Sequence, residues 1–268
     1  MIIDVMVPCG KNSEEYFPFF LNSLESLSSG NHTLNFLLGI NDYSVDIKSF
    51  DHIESNFNIK LFDCITSSTG GNGHGECLDL LLGKVENEIG LVCDVDTVVL
   101  KKDWDDMLVR GLNSDEKIAM IGTEYDRTNK KLMNFPNAVF TMFKVKPLLD
   151  FDVTFKPIGS GKRIIIDEQN FEIFGKQIGD EIVLDVSANV CYSLKTNGYD
   201  GIALPLKSPR CGDDCIFITS DMRGEEHLLD GVPIISHIGR GSVRGFDHPV
   251  TVKWRERYDQ WITEGMYL

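Results

Sequence analysis

The sequence predicts an α/β protein, with an open, mainly parallel sheet flanked by helices on both faces and a smaller mixed extension toward the carboxyl end. Three observations carry this prediction. Residues 1–125 alternate short apolar runs with helical patterns, the arrangement of a parallel sheet with crossover helices. The runs Leu34–Ile40 and Ile89–Cys93 are almost continuously apolar, as expected of strands covered on both faces. No internal repeat, low-complexity stretch or Pro/Ser-rich linker divides the chain, so residues 1–268 read as one domain, with residues 126–268 completing whatever site the first half begins.

The elements follow in order. Ile2–Val7 is a strand ending at Pro8, and Asn12 with Glu15 three residues on offers a capping box for a helix whose apolar face is Phe19, Phe20, Leu24 and Leu27. Leu34–Ile40 is the second strand, a short helix spans 45–55, and Ile59–Phe62 is the third strand. The polar, glycine-rich stretch Thr66–Gly75 reads as a loop and Glu76–Val85 as a helix. Ile89–Cys93 is a strand running into Asp94-Val95-Asp96; Asp103 caps a helix through Leu112, and Ile118–Ile121 is another strand. Beyond it, Ala138–Val145 and Pro233–Ile238 read as strands, and Val183–Asn197 and Val250–Ile262 as helices.

Composition removes several classes of function. The formal charge of −15 over 268 residues argues against non-specific nucleic-acid binding, which depends on Lys and Arg meeting phosphates. An acidic protein that binds a phosphorylated ligand needs a local cation, and a divalent metal supplies one. The seven cysteines lack the paired spacing of a zinc site; they read as reduced thiols of a cytoplasmic protein. Met1–Val7 has no basic leader and carries Asp4 inside its apolar run, so it reads as a first strand rather than a signal peptide. No apolar stretch approaches the length of a membrane span, so the chain is expected to be soluble.

Asp94-Val95-Asp96 is the sharpest chemical signal. Acids at i and i+2 project to the same side of an extended strand end, and a buried strand ending in two acids calls for a cation. Spacing alone leaves this balanced against a turn with solvated aspartates. The loop Ser67–Gly75 matches no phosphate-binding glycine motif and by itself reads as a plain flexible loop; because it precedes a helix start, where backbone N–H groups favour an anion, Asn72, Gly73 and His74 are candidates to meet a ligand. Near the end, His237 closes an apolar strand and is followed by Arg240 and Arg244. A neutral imidazole suits manganese, and an Arg fork such as that of Arg240 suits diphosphate oxygens. For a general base, Asp180, Glu181 and Asp185 cluster before the expected helix; helix capping explains at least one of them, and a remaining acid can activate a hydroxyl.

The order of these features resembles glycosyltransferases of the nucleotide-diphospho-sugar transferase (GT-A, Rossmann-like) fold, particularly the large inverting family-two group. The stretch Gly73–Leu82 through Asp94-Val95-Asp96 to Trp104 is similar to the family's loop, helix, strand and Asp-x-Asp unit. Val5–Gly10 is similar to its first strand and Gly39–Ser44 to its second. The resemblance implies a nucleotide-binding half in residues 1–125 and an acceptor-side half in residues 126–268. It sets Asp94 and Asp96 at Mn2+ (or Mg2+) and the diphosphate, Pro8, Cys9 and Asp42 at the nucleotide, and His237 as a further metal ligand. Asp185 falls in a segment similar to the end of the family's Glu-Asp motif, with Leu184 where that Glu would stand. The implied activity is transfer of a hexosyl group from a UDP- or GDP-sugar to a hydroxyl acceptor. Two other readings stay open: a nucleotidyltransferase, disfavoured because only Pro8–Asn12 follows the first strand, and a non-catalytic nucleotide- or carbohydrate-binding module.

Overall fold

The structure, a computed structural model, describes residues 1–52, 58–128, 130–159, 162–239 and 245–267, leaving out the side chains of 49, 51 and 52. β1 (Ile2–Cys9), β2 (Thr33–Ile40) and β3 (Asn58–Asp63) pair in parallel, with α1 (Ser13–Ser26) crossing between the first two. α2 (Gly70–Leu82) returns the chain to β4 (Ile89–Cys93), which pairs with the other edge of β1. β5 (Thr97–Val99), α3 (Trp104–Leu112) and β6 (Ile118–Thr123) follow, and β7 (Phe140–Lys144) inserts antiparallel between β4 and β6. After α4 (Val145–Asp150), the hairpin strands β8 (Arg163–Ile165) and β9 (Glu181–Val183) enclose α5 (Phe171–Phe174). α6 (Ala188–Thr196) leads to β10 (Asp200–Leu204), the last strand of the central sheet. β11 (Leu206–Lys207), β12 (Glu225–Leu229), β13 (Val232–His237) and the closing α7 (Pro249–Thr263) complete the chain.

The central sheet is seven-stranded, ordered β10-β6-β7-β4-β1-β2-β3, and a four-stranded antiparallel sheet runs β11-β12-β13-β5. This is the open, mainly parallel sheet expected, and the second half of the chain builds into it through β7 and β10. Strand periodicity explains how both faces are covered. In β1, Val5 and Val7 point to one core with Phe17, Phe20 and Trp104, whereas Met6 points to the other with Leu78, Leu81 and Leu194. Asp4, the acid inside the first run, is buried; its carboxylate accepts the N–H groups of Glu86 and Asn87 and so pins the turn entering β4. A third core forms under α7, where Trp254 donates its indole N–H to Ser236 Oγ and Trp261 to the Leu100 carbonyl.

Four local expectations are corrected. α2 begins at Gly70, not Glu76, because its glycines let the helix pack closely against neighbouring backbone: a Cβ on Gly75 would stand 2.6 Å from the Phe155 carbonyl oxygen. Residues 181–183 form a strand, and the helix expected over 183–197 begins only at Ala188. Asn12 takes a left-handed conformation (φ 62°) without a side-chain cap, while the Glu15 carboxylate accepts the N–H of Phe246 from across the fold. Asp103 is also left-handed (φ 59°) and caps α3 without its side chain.

Candidate functional site

The chain leaves β1 to build β2 and β3 on one side and returns to place β4 on the other, so the strand order reverses between β1 and β4. Ligands of open α/β sheets bind outside the carboxyl ends of strands at such a point. Here lies a cleft of about 440 Å³, lined by Pro8, Gly10 and Ser13 after β1, Asn41 and Asp42 after β2, Ser68–Gly70, Gly73 and His74 around the start of α2, Asp94–Asp96 after β4, and His237. No residue of the first turn of α2 is acidic, and the start of that helix borders the cleft through Gly70, Gly73 and His74, where N–H groups and the helix dipole favour an anion.

His237 reaches this place through sheet pairing. β13 runs antiparallel to β5 with His237 opposite Thr97, and Ile238 donates its N–H to the Asp96 carbonyl. Metal-ligating atoms of Asp94, Asp96 and His237 consequently lie within 4.8 Å of one another, the one such group of three or more among the described residues. His237 Nε2 stands 3.4 Å from Asp96 Oδ1, and His74 Nε2 stands 3.7 Å from Asp94 Oδ1. Two carboxylates and an imidazole form a donor set suited to Mn2+ or Mg2+, so the residues present fit a divalent cation.

The electrostatics point the same way. Burial pushes the Asp94 carboxyl up to about 6, with Asp96 adding to the rise and His74 and His237 opposing it. Although 26% of its side chain is accessible, Asp94 is packed among protein atoms and a second acid, which disfavours its charged form. Burial works against charge on His237, but Asp96 and Glu225 outweigh it and raise the imidazole well above its ordinary value. The metal-free site thus holds protons where a divalent cation would compensate the acids.

The other candidate residues separate. Pro8, Asp42, Gly73 and His74 line the cleft; Asp42 is oriented by accepting the Ser44 N–H and hydroxyl, which hold its carboxyl below the ordinary value. Asn72 sits on the first turn of α2 outside the cleft lining. Cys9 turns its side chain into the core, where burial drives its thiol pKa up, leaving neighbouring Pro8 and Gly10 at the cleft. Arg240 lies outside the described residues. Asp180 is exposed on the turn before β9 and accepts the Gln177 N–H; Glu181 pairs with Lys130 and Arg163. Both are committed to the hairpin because β9 replaces the expected helix start. Asp185, paired with Lys131, borders α2: a Cβ on Gly71 would lie 3.2 Å from its Oδ1. Sequence reasoning did not name Gly10, Ser13, Asn41, Ser68, Thr69, Gly70 or Val95 as site residues, nor Glu225 behind His237. The first seven lie in or beside motifs already singled out, whereas only the β12–β13 register reveals Glu225.

No protein-family model matches the chain, and no curated protein matches it by sequence. Among solved structures, it is similar to the mannosyltransferase PcManGT from Pyrobaculum calidifontis in complex with GDP-Man and Mn2+, at 13% identity over 76% of this chain and 54% of that one, with a TM-score of 0.48. Another match is glucosyl-3-phosphoglycerate synthase from Mycobacterium tuberculosis in complex with Mn2+, uridine-diphosphate and phosphoglyceric acid (18% identity, 55% of this chain, 56% of that one, TM-score 0.40). TarS from S. aureus matches at 16% identity over 58% of this chain and 30% of that one, with a TM-score of 0.40. The chain spans about half the length of these structures or less. Among the described residues, no helix is long and apolar enough to cross a membrane.

Proposed function

We propose that the protein is a divalent-metal-dependent glycosyltransferase that moves a sugar from a nucleotide-diphosphate donor to a hydroxyl acceptor. The observation that carries this reading is the convergence of Asp94, Asp96 and His237 within 4.8 Å in the β1/β4 cleft, beside the N-terminus of α2. Asp94, Asp96 and His237 would hold Mn2+ or Mg2+, which would supply positive charge against a diphosphate. The α2 N–H groups and His74 receive phosphate oxygens, and Asp42, oriented by Ser44, accepts from the nucleotide. Asp185, the one of the three candidate bases that borders the cleft helix, takes the proton of the acceptor hydroxyl.

Calorimetry with UDP and GDP, with and without Mn2+, tests the donor half. Metal-dependent binding is expected in the unmodified protein and in Asp150→Asn, whose exposed acid pairs only with Lys146 among the described contacts, and is expected to vanish in Asp96→Asn. Nucleotide binding indifferent to metal would sink the proposal.

A further inference from the structure

Glu225 was not conspicuous in the sequence, yet it occupies a particular place behind the candidate metal site. It lies on β12 directly opposite His237 in the antiparallel register with β13, and its side chain is only 12% accessible. Three basic groups surround its carboxylate. Arg210 approaches Oε2 at 3.5 Å and His227 Nε2 approaches Oε1 at 3.8 Å, both longer than a good hydrogen bond. His237 Nδ1 alone of these reaches hydrogen-bond distance, at 3.0 Å from Oε1. Because Glu225 takes Nδ1, the other ring nitrogen, Nε2, is turned toward Asp96 at 3.4 Å.

The two nitrogens of an imidazole are distinct: the one that donates to a fixed acceptor leaves the other as the ligand. A carboxylate on the far nitrogen fixes ring orientation and tautomer and makes the ligating nitrogen more basic.

We infer that Glu225 is a positioning residue for the metal site, holding His237 through Nδ1 so that Nε2 is presented, with Asp94 and Asp96, to a divalent cation. This role rests on the metal-site reading above. A cross-strand ion pair that merely stabilised the β12–β13 hairpin would leave cation affinity unchanged wherever the protein still folds, and this separates the two roles.

The test is Mn2+ binding measured without nucleotide or turnover, by the loss of the free-ion paramagnetic resonance signal, alongside thermal unfolding of each variant without metal. Glu225→Ala is expected to weaken Mn2+ binding about 10- to 100-fold. Glu225→Gln, which keeps the side-chain volume and an oxygen to accept from Nδ1–H, is expected to recover most of that loss. A folded Glu225→Ala that binds Mn2+ as the unmodified protein does overturns the role of Glu225 alone, and Glu225→Met, which keeps the bulk without the accepting oxygen, is read in the same way where the alanine variant does not fold. Failure of the unmodified protein to bind Mn2+ overturns the metal-site reading and this role with it. Equal, severe loss in both variants also overturns the positioning role, because an accepting oxygen would then not be what matters.

Discussion

At the end of β4, Asp94 stands between Asp96 and the imidazoles of His74 and His237, and this crowding decides what a cation must displace. Asp96 and Glu225 raise the His237 imidazole well above its ordinary value and so favour its protonated form. A metal takes only the neutral imidazole. Mn2+ binding at pH 7 is therefore expected to release about one proton per ion, measured by calorimetry in buffers of different ionisation enthalpy. His237→Asn should remove that release and weaken binding; proton uptake in the unmodified protein would contradict the assignment. In the proposed reaction, Asp185 serves the acceptor half. Asp185→Asn is expected to leave nucleotide affinity within a few-fold and to lower sugar transfer about 10²- to 10⁴-fold, measured with saturating donor. Full transfer by this variant would remove Asp185 from the chemistry.

Among the elements, α2 is the one whose placement most directly shapes the cleft. Its glycines suggested a loop, and the helix boundary was misjudged because glycine disfavours helix interiors by about 1 kcal/mol relative to alanine. What overrides that propensity is tertiary: at Gly75 a Cβ would meet the Phe155 carbonyl at 2.6 Å and Lys156 Cα at 2.8 Å, both backbone atoms unable to rotate away. Gly75→Ala therefore gains helix propensity but forces apart two packed segments, at a cost of about 1–3 kcal/mol. The expected outcome is a lower urea midpoint, with weaker nucleotide binding as the N-terminus of α2 shifts; a higher midpoint would show that the packing yields. The misjudged helix start at residue 183 has a similar origin. Glu181–Val183 pairs with Arg163–Ile165, and a two-strand hairpin of three residues per strand leaves too short an alternation to distinguish from a helix pattern.

Across the whole molecule, what was legible in the sequence is what is local. Buried strands announce themselves by apolar runs, and Asp94 and Asp96 are legible because a strand-end position needs only the strand before it. The meeting of His237 with them depends on the β5–β13 register, and Glu225 on β12–β13; these are long-range pairings that residue types do not encode. Such a site couples to global stability. Asp94 is raised from 3.8 to about 6 in the folded chain, so its protonated form is favoured by folding. The stability it contributes is complete below about pH 4 and is lost as pH rises through about 6. Above that pH the ionised pair is the state a cation relieves, and a ligand that binds only the folded form at 100 times its dissociation constant stabilises by about 2.7 kcal/mol. For a chain of this size that corresponds to a rise in Tm of roughly 5–10 °C. Saturating Mn2+ is thus expected to raise Tm at pH 7.5, to do so progressively less as pH falls through 6, and to have no effect on Asp96→Asn. Thermal melts with and without Mn2+ across pH 5 to 8 check this, and a Tm gain undiminished at pH 5 would show that protons and metal do not compete for Asp94.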